Sequence, residues 1–307
     1  MTKVEEGGRK RRHWRRRICL TGLLFFGLAS LGMWRAGSAL IAPRPQVIDW
    51  LPHWLAVEEV EFESETGRTL RAWFAPGEPE RAGVVLLHSM GSNRQGMLQR
   101  AEILTDRGLG VLLIDFQANG ESEGEYQTFG LLEAQDARAA AAYMRSRRGD
   151  KPLGVIGVSL GGAAALLGGP VDADAFVLEM VYPTLPEAVE NRLALSFGRW
   201  GGKLFAPLLM VQCDLRLGFD AESVRPIDAL AGLTAPVLII GGEDDRRTSP
   251  EETRRMVAAA IGPKELWMVP GIKHEDLCER MPGEYARRVL AFFEEHLDGG
   301  MSDSSGG

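Results

Sequence analysis

The chain has 307 residues, a net charge of −7 and 45% hydrophobic residues, an ordinary composition for a globular protein with one large core. Its five histidines never pair at ligand spacing and its three cysteines are too far apart for a zinc knuckle, so we predict no metal and no cofactor. The odd cysteine count argues against a disulfide framework but leaves a Cys213–Cys278 bridge open.

The amino terminus predicts a membrane location. Residues 1–17 carry eight lysines and arginines against two glutamates, and the next 17 residues, Ile18–Trp34, are uncharged. A helix of that length spans about 25 Å, slightly less than the ~30 Å core of a bilayer, and Arg35 can reach the far interface. We therefore predict a basic cytoplasmic head (1–17) and a transmembrane anchor (18–42). The rest of the chain then lies outside the inner membrane, in the periplasm or the extracellular space.

Two other interpretations of this segment compete with the anchor. The small residues Gly37-Ser38-Ala39 suit signal-peptide cleavage, which would make the protein secreted, but the apolar segment exceeds the usual core of about 7–15 residues. The basic run does not predict nucleic-acid binding, because nothing around it would contact bases. Because the head contributes +6, residues 18–307 carry −13. That charge suits solubility and disfavours anionic polymers and membrane surfaces as substrates.

The rest of the chain reads as one domain. Prolines at positions 43, 45 and 52 indicate a stiff linker over residues 43–56. Residues 58–62 and 69–74 alternate apolar and polar side chains around a turn, which predicts an antiparallel hairpin at a sheet edge. From Val84 onward strand and helix patterns alternate, which indicates a parallel sheet with helices on both faces in a domain spanning residues 57–298. We expect residues 299–307 to be a flexible tail.

The interval between Tyr182 and Pro236 is longer than a strand-to-strand crossover requires. We interpret it as a small helical cap over the site, at about residues 183–230, with a break at residues 198–202. Some of its apolar side chains either line an acyl pocket or face the core as in any helix. These side chains are Phe197, Trp200, Phe205, Leu209 and Met210.

A glycine-bracketed serine carries the strongest functional signal. Gly157-Val158-Ser159-Leu160-Gly161 follows a short apolar run and precedes small residues that can begin a helix. A strand that turns abruptly into a helix strains the residue at its apex and leaves no room for a Cβ at the two glycines. The Ser159 hydroxyl then projects from the sheet beside backbone N–H groups, as a nucleophile requires.

The residues that follow supply a base and an acid in the required order. Residues 236–240 predict a buried strand that leads into Asp245, and residues 265–269 predict another that leads into His274. Side chains just past the carboxyl ends of parallel strands share one rim of the sheet. The order Ser159, Asp245, His274 is that of a serine–histidine–aspartate triad on a doubly wound sheet. Two alternative acids stay open, the neighbouring Asp244 and the strand-end Glu179.

The elbow, the acid loop and the histidine loop together resemble those of the α/β-hydrolase superfamily, over residues 57–297. The resemblance implies the α/β-hydrolase fold, with a mostly parallel eight-stranded sheet, helices on both faces and a small helical cap. It favours Asp245 over Asp244, because family acids commonly lie three residues after a glycine such as Gly242. Within the superfamily the chain is most similar to membrane-associated or exported hydrolases grouped with esterases and serine aminopeptidases.

The same resemblance implies an oxyanion hole. The strand Gly83–Leu87 leads into His88-Ser89-Met90, where the family usually carries His-Gly, so the Met90 and Leu160 backbone N–H groups take this role by resemblance. Because serine replaces glycine at position 89, the local backbone is expected to differ. Residues expected to be structural rather than catalytic are His88, Asp115 and Ser122.

The sequence thus predicts a serine hydrolase that acts on a small-molecule or acyl ester or thioester. Ser159 is the predicted nucleophile, His274 the base and Asp245 the acid that orients it. One rival is a serine peptidase or aminopeptidase-like amidase. The other is a non-catalytic, membrane-tethered binding protein with the same fold, since fold alone does not imply turnover.

Overall fold

The computed structural model describes residues 3–298. Its strands are β1 (Arg44–Pro45), β2 (Glu58–Glu63), β3 (Thr69–Ala75), β4 (Gly83–Leu87), β5 (Gly110–Ile114), β6 (Asn119–Gly120), β7 (Leu153–Val158), β8 (Ala175–Glu179), β9 (Val237–Gly242) and β10 (Lys264–Val269). Its α-helices are α1 (Lys3–Ile41), α2 (Leu98–Thr105), α3 (Glu133–Arg148), α4 (Leu160–Leu166), α5 (Leu185–Leu217), α6 (Pro226–Leu230), α7 (Pro250–Ala259), α8 (Leu277–Arg280) and α9 (Pro282–Phe293). The predicted tail at 299–307 and the first two residues of the basic head lie outside the described residues.

Eight strands form one sheet in the order β10-β9-β8-β7-β4-β5-β3-β2. Strand β3 runs antiparallel to both of its neighbours, β2 and β5, and the remaining pairs are parallel. The β2–β3 hairpin forms one edge, as the alternating pattern predicted. The predicted mostly parallel eight-stranded sheet with helices on both faces is confirmed.

The central strand β4 shows how the sheet separates two cores. All five of its residues are buried, because helices cover both faces of a parallel sheet. Successive side chains point to opposite faces, so Val85 and Leu87 join the core formed with α3, α4 and α7. Val84 and Leu86 join the core formed with α2, α8 and α9. This arrangement aligns the carboxyl ends of the parallel strands at one rim.

Helix α1 includes the predicted anchor. Its segment Leu20–Ile41, with 22 residues and a mean hydropathy of 1.4, is long and apolar enough to cross a membrane. In the last turns of α1, Met33, Ala36 and Leu40 pack against a small apolar cluster on α5. The end of the predicted anchor is therefore in contact with the predicted cap.

Polar contacts reinforce this packing of α1 on α5. The Arg216 guanidinium lies 3.7 Å from the centre of the Trp34 ring and donates to the Trp34 carbonyl oxygen and the Ser38 hydroxyl. The Gln212 amide donates to the Met33 carbonyl oxygen at 3.0 Å. These bonds join the last two turns before the end of α1 to the second half of α5.

Residues 43–56, predicted to be a stiff linker, lie against the domain. The short strand β1 pairs in parallel with β6, and the Arg44 N–H donates to the Ala118 carbonyl oxygen at 2.6 Å. Ile48 and Leu55 are buried in the core that contains α2 and α9. Apolar burial therefore places this segment on the domain although its prolines prevent a regular helix.

Helix α5 forms most of the predicted cap. Thr184 caps its amino terminus, and Gly198 (φ 71°, ψ 169°) breaks it into two helices, within the predicted break. Four large apolar side chains recur on one side of the second half at a spacing of four, seven and four residues. This exposed row, which we call the α5 stripe, consists of Trp200, Leu204, Val211 and Leu215.

Cys213 and Cys278 are both buried and carry free thiols, so the bridge that the sequence left open does not form. Burial raises the pKa of the Cys213 thiol to about 11 and that of Cys278 to about 12. Neither cysteine is therefore poised as a thiolate nucleophile.

Candidate active site

Ser159 occupies a strained reversal between β7 and α4. Its φ of 51° and ψ of −107° are unfavourable for a residue with a side chain, and its N–H donates to the Glu179 carbonyl oxygen at 2.8 Å. A Cβ at Gly157 would lie 2.5 Å from the Gly162 Cα. A Cβ at Gly161 would overlap the backbone at the end of β4, the strand beside β7 in the sheet. The two glycines thus permit the tight approach of α4 to the sheet that this turn needs.

His274 and Asp245 form a hydrogen-bonded pair at the rim. Asp245 follows β9, His274 follows β10, and the His274 Nδ1 lies 2.8 Å from Asp245 Oδ2. A carboxylate only accepts, so Nδ1 carries the hydrogen and Nε2 of the neutral ring keeps its lone pair. The other Asp245 oxygen accepts the N–H groups of Arg247 (2.7 Å) and Thr248 (3.0 Å), which fix the carboxylate.

One cavity of about 180 Å³ contains the predicted nucleophile and base together. Ser159 and His274 both line it, and so does Met90, one of the two residues expected at the oxyanion hole. Leu160, the other, is the first residue of α4 and its side chain is buried. A larger cleft of about 720 Å³ opens near the β2–β3 edge, but neither a serine nor a histidine lines it.

The two alternative acids, Asp244 and Glu179, have surroundings that do not include His274 among their hydrogen-bond partners in the described structure. Asp244 is exposed, and its backbone N–H donates to the Ile272 carbonyl oxygen. The buried Glu179 carboxylate accepts two hydrogen bonds from Arg100, at 2.9 and 2.7 Å, and one from the Tyr285 hydroxyl at 2.6 Å. Asp245 is thus the carboxylate that contacts His274.

Arg100 connects this strand end to the histidine loop. Besides Glu179, its guanidinium binds both carboxylate oxygens of Asp276, at 2.9 and 3.0 Å. Asp276 lies two residues after His274 and also caps α8 by accepting the N–H groups of Cys278 and Glu279. This buried network ties the loop that carries His274 to β8 and α2.

The contacts of the residues expected to be structural are consistent with that expectation. The buried His88 accepts the Phe116 N–H at Nε2 (3.0 Å), so its Nδ1 donates to the Ser89 carbonyl oxygen (2.8 Å). Burial lowers the pKa of His88. The Ser122 hydroxyl donates to the Asp115 carbonyl oxygen at 2.6 Å.

Asp115 holds the turn after β5 through its carboxylate. It accepts the Arg94 and Glu121 N–H groups and pairs with the Arg94 guanidinium, which is also bound by the Glu121 carboxylate. The Arg94 and Asp115 side chains are almost fully buried. None of Arg94, Asp115 and Glu121 lines the Ser159 cavity.

Two arginines of the cavity were not anticipated from the sequence. Arg192 from α5 and Arg247 from the loop after β9 line it beside Ser159. Burial, and then the nearby charge of Arg247, lower the pKa of Arg192. Arg247 follows Asp245 by two residues, which could have drawn attention to it. Nothing local distinguishes Arg192 from other helical arginines.

The side chains expected to form an acyl pocket in the cap do not line the Ser159 cavity. Trp200 is 87% exposed and Phe197 is 51% exposed. Leu209 and Met210 line a different cavity, together with Gly37 and Leu40 of α1. Of the two alternatives, the acyl pocket is therefore not the one that these side chains form at Ser159: Leu209 and Met210 pack against α1 instead.

One group of side chains in the described part of the chain has the spacing of metal ligands. Ligand atoms of Glu265, Glu295 and His296 lie within 4.8 Å of one another. Glu265 is near the amino end of β10, whereas Ser159 is at the carboxyl end of β7. Because these strands run in the same direction, the group lies at the opposite end of the sheet from the cavity.

The chain is similar to known proteins in both sequence and fold. A sequence model of the "Alpha/beta hydrolase family" matches residues 84–288. An uncharacterized protein of Mycobacterium tuberculosis is 30% identical over 239 residues, 76% of this chain and 77% of that protein. YqkD of Bacillus subtilis is 24% identical over 220 residues, 70% of this chain and 72% of its own. An esterase of Pyrococcus furiosus shares the fold, with a TM-score of 0.70 at 22% identity, covering 84% of this chain and 98% of that one.

Proposed function

The chain belongs to the alpha/beta hydrolase family, and from that premise we propose that it is a serine hydrolase that cleaves an ester or thioester. The observation that carries the proposal is the convergence of Ser159 and the His274–Asp245 pair at one cavity. The strained backbone at Ser159 and the two N–H groups that hydrogen-bond the Asp245 carboxylate indicate that this geometry is held in place before substrate binds.

In the proposed reaction, Ser159 Oγ attacks the acyl carbonyl carbon while His274 Nε2 removes the hydroxyl proton. Asp245 stabilises the imidazolium that forms. The Leu160 and Met90 N–H groups donate to the oxyanion, and one such donor contributes about 2.7–4 kcal/mol to the transition state. His274 returns the proton to the leaving alcohol or thiol, and water then hydrolyses the acyl-enzyme by the same route.

The charges at the cavity favour an ester over an aminopeptidase substrate. An aminopeptidase needs unpaired carboxylates to bind a terminal ammonium group. The two acidic residues beside His274 already face cations, since Asp276 binds Arg100 and Glu275 lies 3.6 Å from Arg280. Arg192 and Arg247 add positive charge that would repel an ammonium group.

We further propose that α1 anchors the protein in the membrane, with its amino terminus cytoplasmic and the catalytic domain on the outer side. The apolar segment Leu20–Ile41 and the basic residues before it support this arrangement. Cleavage near residues 37–39 would remove the α1 side chains that pack on α5, which favours a retained anchor over a secreted form. The exposed α5 stripe also suits a surface close to lipid.

The test uses the full chain in detergent with a fluorophosphonate probe and a panel of p-nitrophenyl esters. We expect Ser159-dependent labelling and ester turnover, both lost in Ser159→Ala. Aminoacyl p-nitroanilides tested in parallel separate ester from peptide specificity. A folded protein that neither reacts with the probe nor turns over any ester would instead be the non-catalytic binding protein.

A further inference from the structure

The cavity around Ser159 has an unusual charge distribution. Two arginines from different elements converge on it, Arg192 from α5 and Arg247 from the loop after β9. The loop and the helix are joined directly, since the Asn191 side-chain amide donates to the Arg247 carbonyl oxygen at 3.2 Å. The same amide binds the Glu252 carboxylate, so the pair of elements is fixed to α7 as well.

Neither guanidinium has an acidic partner among the side chains that the structure describes. The acidic residues near them are already engaged. Asp276 binds Arg100, and Asp245 binds His274 and two backbone N–H groups. Glu275 and Asp276 also line the cavity, but Glu275 lies 3.6 Å from Arg280.

This arrangement is unfavourable without a ligand. Arg192 is partly buried, and its burial and then the charge of Arg247 lower its pKa, although the nearby Tyr182 and Asp245 act in the opposite direction. A cation removed from water is normally paired, as Arg94 and Arg100 are elsewhere in this chain. An anion bound between the two guanidinium groups would relieve both the desolvation and the repulsion.

We propose that Arg192 and Arg247 bind an oxyanionic group of the substrate, a carboxylate or a phosphate. This inference rests on the proposed function, because it assigns the substrate class of the same site. The cavity of about 180 Å³ holds Ser159, His274 and both arginines, so the anion lies within a few bonds of the scissile ester. The substrate is therefore a small or amphiphilic ester with a negative charge near the reacting carbonyl group.

The local charge differs in sign from the charge of the domain. Residues 18–307 carry −13 overall, which weakens long-range attraction of anions. Two guanidinium groups on the wall of a small cavity act at contact distance, where the net charge of the rest of the domain is screened. Selectivity for a small anionic ester is compatible with a surface that repels anionic polymers.

The experiment compares two esters of equal length on the full chain in detergent. p-Nitrophenyl hexanoate is neutral, and the p-nitrophenyl monoester of adipic acid replaces its terminal methyl group with a carboxylate. We expect kcat/KM to be at least about tenfold higher for the adipate monoester, after subtraction of the rate of Ser159→Ala. Equal or lower kcat/KM for the adipate monoester, with Ser159-dependent turnover of hexanoate, would overturn this inference alone. Loss of both activities would overturn the proposed function instead.

Variants of Arg192 and Arg247 test whether these two residues cause the preference for the adipate monoester. We expect Arg192→Gln and Arg247→Gln each to lower the ratio of the two kcat/KM values about tenfold, while fluorophosphonate labelling reports that each variant is folded. Arg246→Gln is the matched control, since Arg246 is exposed in the same loop but does not line the cavity. A ratio that falls as far in Arg246→Gln as in the other two would contradict the assignment, because any loss of surface charge would then have the same effect.

Competition separates the two anion types. Free adipate and glycerol 3-phosphate are added to the hexanoate assay of the full chain. Competitive inhibition by adipate indicates a carboxylate substrate, and inhibition by glycerol 3-phosphate indicates a phosphate-bearing one. Both effects should weaken in Arg192→Gln. An absence of inhibition by either anion at up to 50-fold the hexanoate concentration, on the order of the excess that a weak site requires, would contradict an oxyanion site.

Discussion

Two pairs of arginines in this molecule have opposite surroundings. Arg94 and Arg100 are almost fully buried, and each contacts two carboxylates. Arg192 and Arg247 line the Ser159 cavity and contact no carboxylate among the described side chains. The charges of the first pair are compensated by carboxylates of the protein itself, so this pair, the scaffold pair, has a structural role. The second leaves its charge available, which is the arrangement that a binding site needs.

The scaffold pair also explains how the rim is held rigid. Arg100 joins the end of β8 to the loop that carries His274, and Arg94 holds the turn after β5. Buried ion pairs of this kind contribute little net stability, but the loss of one partner leaves an uncompensated charge. Substitution of Arg100 should therefore reduce stability, whereas substitution of Arg192 or Arg247 should change the substrate preference.

The largest expected effect concerns the triad of Ser159, His274 and Asp245. Asp245→Asn should lower kcat for ester hydrolysis about 10,000-fold, because the asparagine amide no longer holds the His274 tautomer that accepts the serine proton. Steady-state kinetics on p-nitrophenyl hexanoate measures the change. Asp244→Asn, at the exposed neighbouring position, should retain nearly full activity. A comparable loss in both variants would argue that the loop, and not the Asp245–His274 bond, determines activity.

Breaking the scaffold pair should reduce stability. Arg100→Met leaves Glu179 and Asp276 without their cation and should lower the free energy of unfolding by about 3–5 kcal/mol. Thermal or urea unfolding of the full chain in detergent measures it. Arg107→Met, which removes the exposed pair with Glu294, should cost less than about 1 kcal/mol. Similar losses in the two variants would contradict a special role for burial.

Asp136 is a buried carboxylate for which the described structure shows no arginine partner. Asp136 accepts hydrogen bonds from the Ser64 hydroxyl (2.5 Å) and the Gln117 N–H (2.9 Å), and burial raises its pKa to about 7. Because its folded pKa lies above its unfolded value, it contributes stability at low pH that is lost as pH rises from about 4 to about 7. The unfolding free energy should therefore fall by up to about 1.4 kcal/mol per pH unit in this window.

The control for this prediction is Asp136→Asn, which has no titrating proton: its amide oxygen can accept the Gln117 N–H while its NH2 group donates to the Ser64 hydroxyl oxygen. Its stability should depend less on pH between about 4 and 7 than that of the natural chain. Urea unfolding at several pH values measures the difference. Parallel curves for the two proteins would show that Asp136 does not titrate in this range.

The smallest expected effect is that of salt. Raising the ionic strength from about 0.02 M to 0.5 M should lower kcat/KM for the adipate monoester a few-fold, because salt screens the open arginines. The rate on the neutral hexanoate ester should change much less, since this substrate carries no charge for the arginines to attract. A matching decrease for both esters would point to a general effect of salt on the protein rather than on the cavity.

Much of the rim could be predicted because its signals are local. The glycines around Ser159 are required by the backbone of one tight turn, and strand patterns before Asp245 and His274 indicate that both side chains leave the sheet at the same edge. The alternation of apolar strands and helices indicates a parallel sheet with helices on both faces, and the family resemblance implies its eight strands. These features depend on a few consecutive residues and on the common direction of parallel strands, so the amino-acid order alone was enough to predict them.

The remaining features depend on contacts between distant segments. The family resemblance favours Asp245 over Asp244, but only the fold shows the contact of Asp245 with His274. The packing of α1 on α5 redirects the cap side chains away from the cavity, and burial of Ile48 and Leu55 holds the supposed linker on the domain. Arg192 and Arg247 meet across 54 intervening residues, in a cavity that no local spacing encodes. Side-chain packing and charge compensation act through space, which is why these features were decided by the tertiary structure.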